Sequence, residues 1–374
     1  MTLEPMGVFA KPTEPFPADE YRARLAKLDR QLRKDKLDAM LVVTDVNRLY
    51  LTGFQASNGL LLLRPGKRAT FYTDFRYLEA ARDQLGFLNV EKLGKAADQL
   101  GPLAKRGKWA LVGYEGALPG ARLQAFKDAL PAVKEWRNAE GAVLDMRAIK
   151  SPRELAVLSV AVCTGDDAFD RFLRDVRPGL SEWEMRRMIR RKADDLSQGE
   201  SFDCIVCVGA NASRCHHHPG ATVLKKNNEL LVDMGVLVQG YHSDMTRTVF
   251  YGKPPKKFVE IYKVVLAANR AAIRAIRPGR KGKEIDAVAR RIIEKAGYGK
   301  YFDHGLGHGV GLEIHERPAF SKTDETVLRP GMVMTVEPGI YIPGFGGVRI
   351  EDMVAVTRKG CTVLTQTPKK LRCL

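Results

Sequence analysis

All seven histidines of this 374-residue chain fall between His216 and His315, and four carboxylates in apolar surroundings, Asp233, Asp244, Glu337 and Glu351, fall inside that window or just after it. Asp233 sits in LLVDMGVLV, Glu337 in VMTVEPGIYI and Glu351 in GVRIEDMVAV, runs that read as buried β-strands rather than solvated surface. An ionised carboxylate in such a run is costly unless it is paired or bound to a cation, and several together repel one another. Singly, each would pass for a strand-end acid satisfied by an arginine or a backbone amide. As a set they point to a divalent-metal centre. His308, in HGLGHGVG, adds a nitrogen. Four oxygen-donor residues and one imidazole suit manganese, cobalt or zinc, and the excess of carboxylates lets two of them bridge a pair of ions.

The spacing requires turns. Asp233 and Asp244 are too far apart to be neighbours on one strand, and VLVQGY between them supplies a turn at Gly240, so a hairpin brings them together. Glu337 and Glu351 are separated by the equally hairpin-like GIYIPGFGGV. GLGHGVG is a poor phosphate loop: it lacks Lys-Ser/Thr, and Val310 and Leu312 stand where the last glycine of GxGxxG would fall. Close backbone approach around a buried site explains its glycines better.

These residues need a scaffold, and an internal repeat supplies one. Arg177-Pro178-Gly179 recurs as Arg277-Pro278-Gly279, each followed by an acid (Glu184, Glu284) and an Arg-rich amphipathic helix. Phe202-Asp203 recurs as Phe302-Asp303, RCHHHPG answers to EIHERP, Asp233-x-Gly235 to Glu337-x-Gly339, and HSDM with Asp244 to RIEDM with Glu351. Two such halves facing each other build a central carboxylate cage. Ahead of them, DAMLVVTD, GLLLLRPG, ATFYTD and KWALVGYE read as strands, and YRARLAKLDRQLRKD and FRYLEAARDQL as helices, an α/β domain poor in catalytic groups. At the junction Ser151 can cap a helix with Pro152 at its first position and Glu154 completing a capping box. The expected domains are 1–145 and 151–374.

Composition bounds the function. A chain this long exceeds one core, and 45% hydrophobic with 28% charged residues is ordinary for a soluble globular protein. No run approaches a membrane span and the start has no signal-peptide stretch, so a cytoplasmic protein is expected. Six cysteines are too few and irregular for a disulfide framework; Cys204 and Cys207 form a CxxC inside a strand-like FDCIVCVG, without the second CxxC of a zinc site. The net charge of +17 is spread over helices and mixed with acids, which reads as a solvated basic face, and no nucleic-acid partner is expected.

GYHSDMTRTV, HGLGHGVGLEIHE, VEPGIY and GGVRIED together resemble the signatures of the pita-bread metallopeptidases, most closely the Xaa-Pro branch of aminopeptidase P and prolidase. The resemblance covers essentially the whole chain. It implies an α/β protein: a creatinase/prolidase-like α/β domain before a pita-bread α+β domain with an internal pseudo-twofold repeat. It also implies two divalent ions per chain, manganese first, on Asp233, Asp244, His308, Glu337 and Glu351, with Asp244 and Glu351 bridging. His216, His304 and His315 match positions that bind substrate and stabilise its tetrahedral intermediate; His217 and His218 compete with His216, whose spacing before Asp233 favours it. Arg349 would orient Glu351 or meet a substrate carboxylate, Tyr341 matches a position near the metals, and His242 is read as structural. The chemistry implied is attack on the scissile carbonyl by a metal-activated water, with Glu337 moving the proton and no covalent intermediate.

The substrate implied is a proline-containing peptide and the enzyme a homodimer. Aminopeptidase P is preferred over prolidase, because GGVRIED after IYIPGF looks most like the short bacterial aminopeptidase P type. A methionine aminopeptidase would lack the leading domain, a creatinase-like amidinohydrolase would not need the cage, and an inactive binding protein with a nucleic-acid or ribosome partner would have lost ligands.

Overall fold

A computed structural model describes residues 16–374, which form two compact units, 16–147 and 148–374. In the first unit, strands β1 (Ala39–Val42), β2 (Leu60–Leu63), β3 (Thr70–Thr73), β4 (Asn89–Lys92), β5 (Leu111–Tyr114) and β6 (Glu135–Asn138) make one sheet in the order β4-β3-β2-β1-β5-β6. Helices α1 (Ala18–Lys34), α2 (Asp45–Thr52), α3 (Phe75–Gln84), α4 (Ala96–Gly107), α5 (Gly120–Ala129) and α6 (Gly141–Ala148) connect and flank it. The central strands are buried throughout, which is why they read as unbroken apolar runs. The edges β4 (NVEK) and β6 (EWRN) are mostly exposed, and their charges discourage further pairing.

The second unit opens on α7 (Pro152–Asp175), where Ser151 and Glu154 form a reciprocal capping box with Pro152 in the first turn. It continues through α8 (Glu182–Leu196), β7 (Ile205–Val208), β8 (Asn228–Met234), the hairpin strands β9 (Leu237–Val238) and β10 (Tyr241–His242), and β11 (Met245–Tyr251). The pattern then repeats: α9 (Lys256–Ala275), α10 (Gly282–Lys295), β12 (Gly307–Gly309), β13 (Glu316–Phe320), β14 (Val333–Val336), the hairpin β15 (Gly339–Ile342) and β16 (Gly346–Arg349), β17 (Asp352–Val356) and β18 (Cys361–Val363). The sheets are ordered β11-β8-β7 and β13-β12-β14-β17-β18.

The repeat holds at the level of backbone detail. Gly179 and Gly279 turn the chain between paired helices with φ of +95° and +88°, values costly for a residue with a Cβ. Glu184 and Glu284 both accept from the backbone N–H three residues earlier, at Ser181 and Lys281. Those same two residues form matching isolated bridges, to Val223 and Val327. Each helix pair lays an apolar stripe on its sheet: Phe169, Phe172, Met185 and Ile189 against Val206 and Val232 in one half, Ile261, Val265, Ile285 and Ala289 against Met334 and Val354 in the other. Among the described residues no helix is long and apolar enough to cross a membrane.

Candidate metal centre

Strand pairing places the acids. β8 and β11 run antiparallel with Asp233 opposite Thr246, and Asp244 sits just before β11. The chain reverses between them through Gln239 and Gly240, both at positive φ, as a two-residue hairpin turn requires. In the second half Val336 pairs with Asp352, so Glu337 and Glu351 lie opposite each other one step beyond the ends of β14 and β17. They therefore sit at strand ends, not within strands as their apolar neighbours suggested, because the hairpin β15–β16 is inserted between them. Glu351 N–H donates to Thr246 O at 3.1 Å, which joins the two halves at the cage.

His308, at the centre of β12, points Nε2 at Glu337 Oε1 (3.3 Å) and Asp244 Oδ2 (3.6 Å), while its Nδ1 lies 3.1 Å from the Gly309 carbonyl. Burial holds its pKa down, so the ring is neutral, with the proton on Nδ1 and a lone pair on Nε2. One ligand atom each from Asp244, His308 and Glu351 lie within 4.8 Å of one another. Burial, then Glu351, Asp233 and Glu337, pushes the Asp244 carboxyl well above the ordinary carboxylate range. Burial and the charges of Glu337 and Asp233 do the same to Glu351. Glu337 is raised by burial and by Asp233, against the opposing pull of His304 and Arg349. Asp233 Oδ1 is buried without a hydrogen-bond partner among the described residues. Lone pairs thus converge on a small buried volume with too few donors to satisfy them, and this donor set fits hard or borderline divalent cations.

A second ring of side chains fixes the candidate ligands. Arg349 donates from Nη2 to Asp233 Oδ2 (2.6 Å), from Nε to Thr246 Oγ1 (2.8 Å) and from Nη1 to Tyr341 OH (3.0 Å). Thr246 in turn donates to Glu351 Oε2 at 2.6 Å. Arg349 thus reaches Glu351 only through Thr246, and its guanidinium is committed to the protein. Thr335 accepts from His308 N–H (2.9 Å) and donates to Glu337 Oε1 (3.1 Å). Below the cage the buried Arg247 pairs with Asp352 (2.9 Å) and donates to the carbonyls of Thr246 and Glu351. Asn269 on α9 donates to Val336 O, Ile350 O and Asp352, pinning the backbone beside both glutamates. Sequence reasoning missed Thr246, Arg247, Asn269 and Thr335; the available signal was polar residues two or three positions from a ligand inside apolar strands, in DMTRTV and VMTVE.

The centre lines a cavity of about 580 Å³ whose walls include all five acid and imidazole residues, Arg349, and His216, His217, His218, His304 and His315. His304 is held between the Gly305 carbonyl (Nδ1, 2.7 Å) and the Tyr341 hydroxyl (Nε2, 2.9 Å), with its pKa lowered by burial. Arg349 donates to the same hydroxyl, so one chain of donors fixes Tyr341 and the neutral ring of His304. His315 stacks edge-on against His308 with centroids 4.2 Å apart, and burial, His308 and then His216 lower its pKa. Of the three adjacent histidines, His217 is tied to the buried Glu182 at 2.8 Å, whereas His216 is exposed and lies within electrostatic reach of His315. His242 is not on the cavity wall. Its strand ends before Asp244, so the two do not share a strand face.

Residues 158–358 match the model of metallopeptidase family M24, and residues 24–149 match the creatinase/prolidase N-terminal domain. An Xaa-Pro dipeptidase of Pyrococcus horikoshii is 36% identical over 354 residues, 94% of this chain and 99% of that protein. The structure of an Xaa-Pro dipeptidase from Bacillus anthracis superposes with a TM-score of 0.90 at 37% identity, covering 95% of this chain and 100% of that one. An X-Pro aminopeptidase from Thermotoga maritima superposes at 0.85 and 29% identity, covering 92% and 100%. A family whose catalysis depends on divalent metal accounts for acids buried against one another around an unprotonated imidazole nitrogen, and the chain belongs to it: metallopeptidase family M24, with a creatinase/prolidase-like domain preceding a pita-bread catalytic domain.

Proposed function

We propose that the chain hydrolyses the bond between an N-terminal residue and a following proline, acting on dipeptides as a prolidase, with residues 151–374 as catalytic domain and two divalent ions, manganese first, held by Asp233, Asp244, His308, Glu337 and Glu351. The observation that carries this reading is the convergence of the His308 Nε2 lone pair with buried carboxylates that have too few proton donors. When bound, such ions polarise the scissile carbonyl and acidify a water.

The protein's own groups do the rest. Glu337, oriented by Thr335, is placed to take a proton from the attacking water and return it to the leaving proline nitrogen. His315 and His216, on the cavity wall, donate to the oxygen that gains charge, and His304 adds a ring fixed by Tyr341. Arg349 keeps Asp233 in register rather than meeting substrate. A tertiary Xaa-Pro amide has no N–H and a fixed φ near −65°, so it needs a pocket of its own.

The dipeptidase reading displaces the aminopeptidase P preference drawn from sequence, because relatives at 36–37% identity are named Xaa-Pro dipeptidases while the aminopeptidase from Thermotoga maritima stands at 29%. That similarity keeps aminopeptidase P as the second reading. A homodimer in the cytoplasm is part of the proposal. Cleavage of Xaa-Pro, Xaa-Pro-Xaa and Met-Ala-Xaa peptides compared with manganese present tests it. Preference for Xaa-Pro supports the dipeptidase, preference for the tripeptide selects aminopeptidase P, and preference for Met-Ala-Xaa refutes the Xaa-Pro assignment.

A further inference from the structure

We infer that Arg186 receives the free carboxylate of the dipeptide and so sets the preference for two-residue substrates. The inference rests on the peptidase reading above. A dipeptide brings its own carboxylate into a cavity already crowded with acids, and that charge needs a cation beyond those that serve the cage.

Among the described residues the cavity wall carries two arginines, Arg186 and Arg349, and no lysine. Arg349 is largely committed: Asp233, Thr246, Tyr341 and the Cys215 carbonyl take four of its five donors. Arg186, on α8, is half-buried, and its Nε is buried without a hydrogen-bond partner among the described residues. Among the described residues its ion-pair partner is Asp203, whose side chain is 88% exposed. An ion pair with so solvated an acid is weak and exchangeable. A guanidinium offers its five donors in a planar fork that matches a carboxylate, so an incoming carboxylate can replace Asp203 at Nη2.

Arg186 is also correctly placed. Asp203, Cys204 and Ile205 line the same wall, and Ile205 lies directly opposite Asp233 in the β7–β8 register. Asp203 is two residues further out, roughly 7 Å of extended chain. The carboxylate of a bound dipeptide lies one residue beyond the scissile carbonyl, on the order of 3.8 Å, and the length of the arginine side chain spans the remainder. In a longer peptide an amide occupies that position and makes no ion pair.

The test uses the full-length, metal-loaded enzyme with Ala-Pro and Ala-Pro-amide as paired substrates. Arg186→Met keeps the apolar stem and removes the charge; it should lower kcat/KM on Ala-Pro by about 10- to 100-fold, mainly through KM, as for loss of a hydrogen bond to a charged group. The amide should fall several-fold less, and Arg186→Lys should recover part of the loss. Asp203→Asn, which removes the competing carboxylate, should lower KM for Ala-Pro. Equal losses on both substrates, or no loss on Ala-Pro, overturn the assignment while leaving the dipeptidase reading intact. A wild type that cleaves neither substrate refutes the peptidase reading and this assignment with it.

Discussion

Thr246 offers the most direct test of how the cage is held. It is fully buried, donates to Glu351 Oε2 at 2.6 Å and accepts from Arg349 Nε at 2.8 Å. Thr246→Val keeps the shape and the backbone bond from Glu351 N–H, so the change is confined to one hydroxyl. Two bonds to charged partners are lost, each worth about 1.5–3 kcal/mol, but they are not additive because the bound metal still restrains Glu351. One such bond corresponds to about 10- to 100-fold, the range usual for residues that orient metal ligands. Metal affinity by chelator competition and kcat/KM on an Xaa-Pro dipeptide should both fall by that factor, while circular dichroism stays that of the wild type. Thr246→Ser should retain most of both. A folded valine variant within about 3-fold of wild type in both measurements would refute the idea that Thr246 couples Arg349 to Glu351.

Glu351→Ala should abolish activity by removing the ligand proposed to be shared by both ions, whereas His315→Ala should keep metal bound, by metal analysis, and slow turnover by about 10²-fold; full turnover in the histidine variant would remove His315 from the proposed catalytic set. In the metal-free protein Glu351 has its pKa raised, so the stability tied to its protonated form is present below about pH 4.3 and lost as pH rises through the folded value. Glu351→Gln escapes this loss. With chelator present its Tm should exceed that of wild type by a margin that grows from pH 4 towards neutrality, and a shrinking margin would reverse the electrostatic account. Burial pushes the Cys207 thiol up to about 12 and Cys204 higher still, so iodoacetamide at pH 8 should modify the exposed Cys373 and spare both in the folded protein, as read by mass spectrometry.

Legibility followed energetic anomaly. A carboxylate inside VMTVEPG breaks the pattern of its own strand, and such breaks can be read locally. Thr246, Thr335 and Asn269 break nothing: threonine is at home in strands, and Asn269 acquires its role only because α9 crosses the backbone of Val336 and Ile350, far away in sequence. The six strands of the first unit divide the same way. The four read from sequence carry apolar runs, and the two that escaped, β4 and β6, are polar edges with no alternation to find. His242 shows the limit of strand periodicity. Two residues from Asp244, it would share that ligand's face on a continuous strand, and only the break between β10 and β11 separates them.

The repeat also shows why the cage has one imidazole rather than two. In the second half Glu337 N–H bonds to Leu306 O, and His308 lies two residues further along that strand. In the first half Asp233 is opposite Ile205, so the residue corresponding to His308 is Cys207. Both side chains face the same way by strand periodicity, but one is a neutral imidazole with a free lone pair and the other a thiol held protonated by burial. The two halves supply matching carboxylates and different third groups, so the two ends of the cage are chemically unlike. Three histidines of the first half, His216, His217 and His218, lie instead in the loop before β8, on the cavity wall with His315. Near-symmetry builds the carboxylate pairs, and its local failure at Cys207 and His308 leaves nitrogen at one end only.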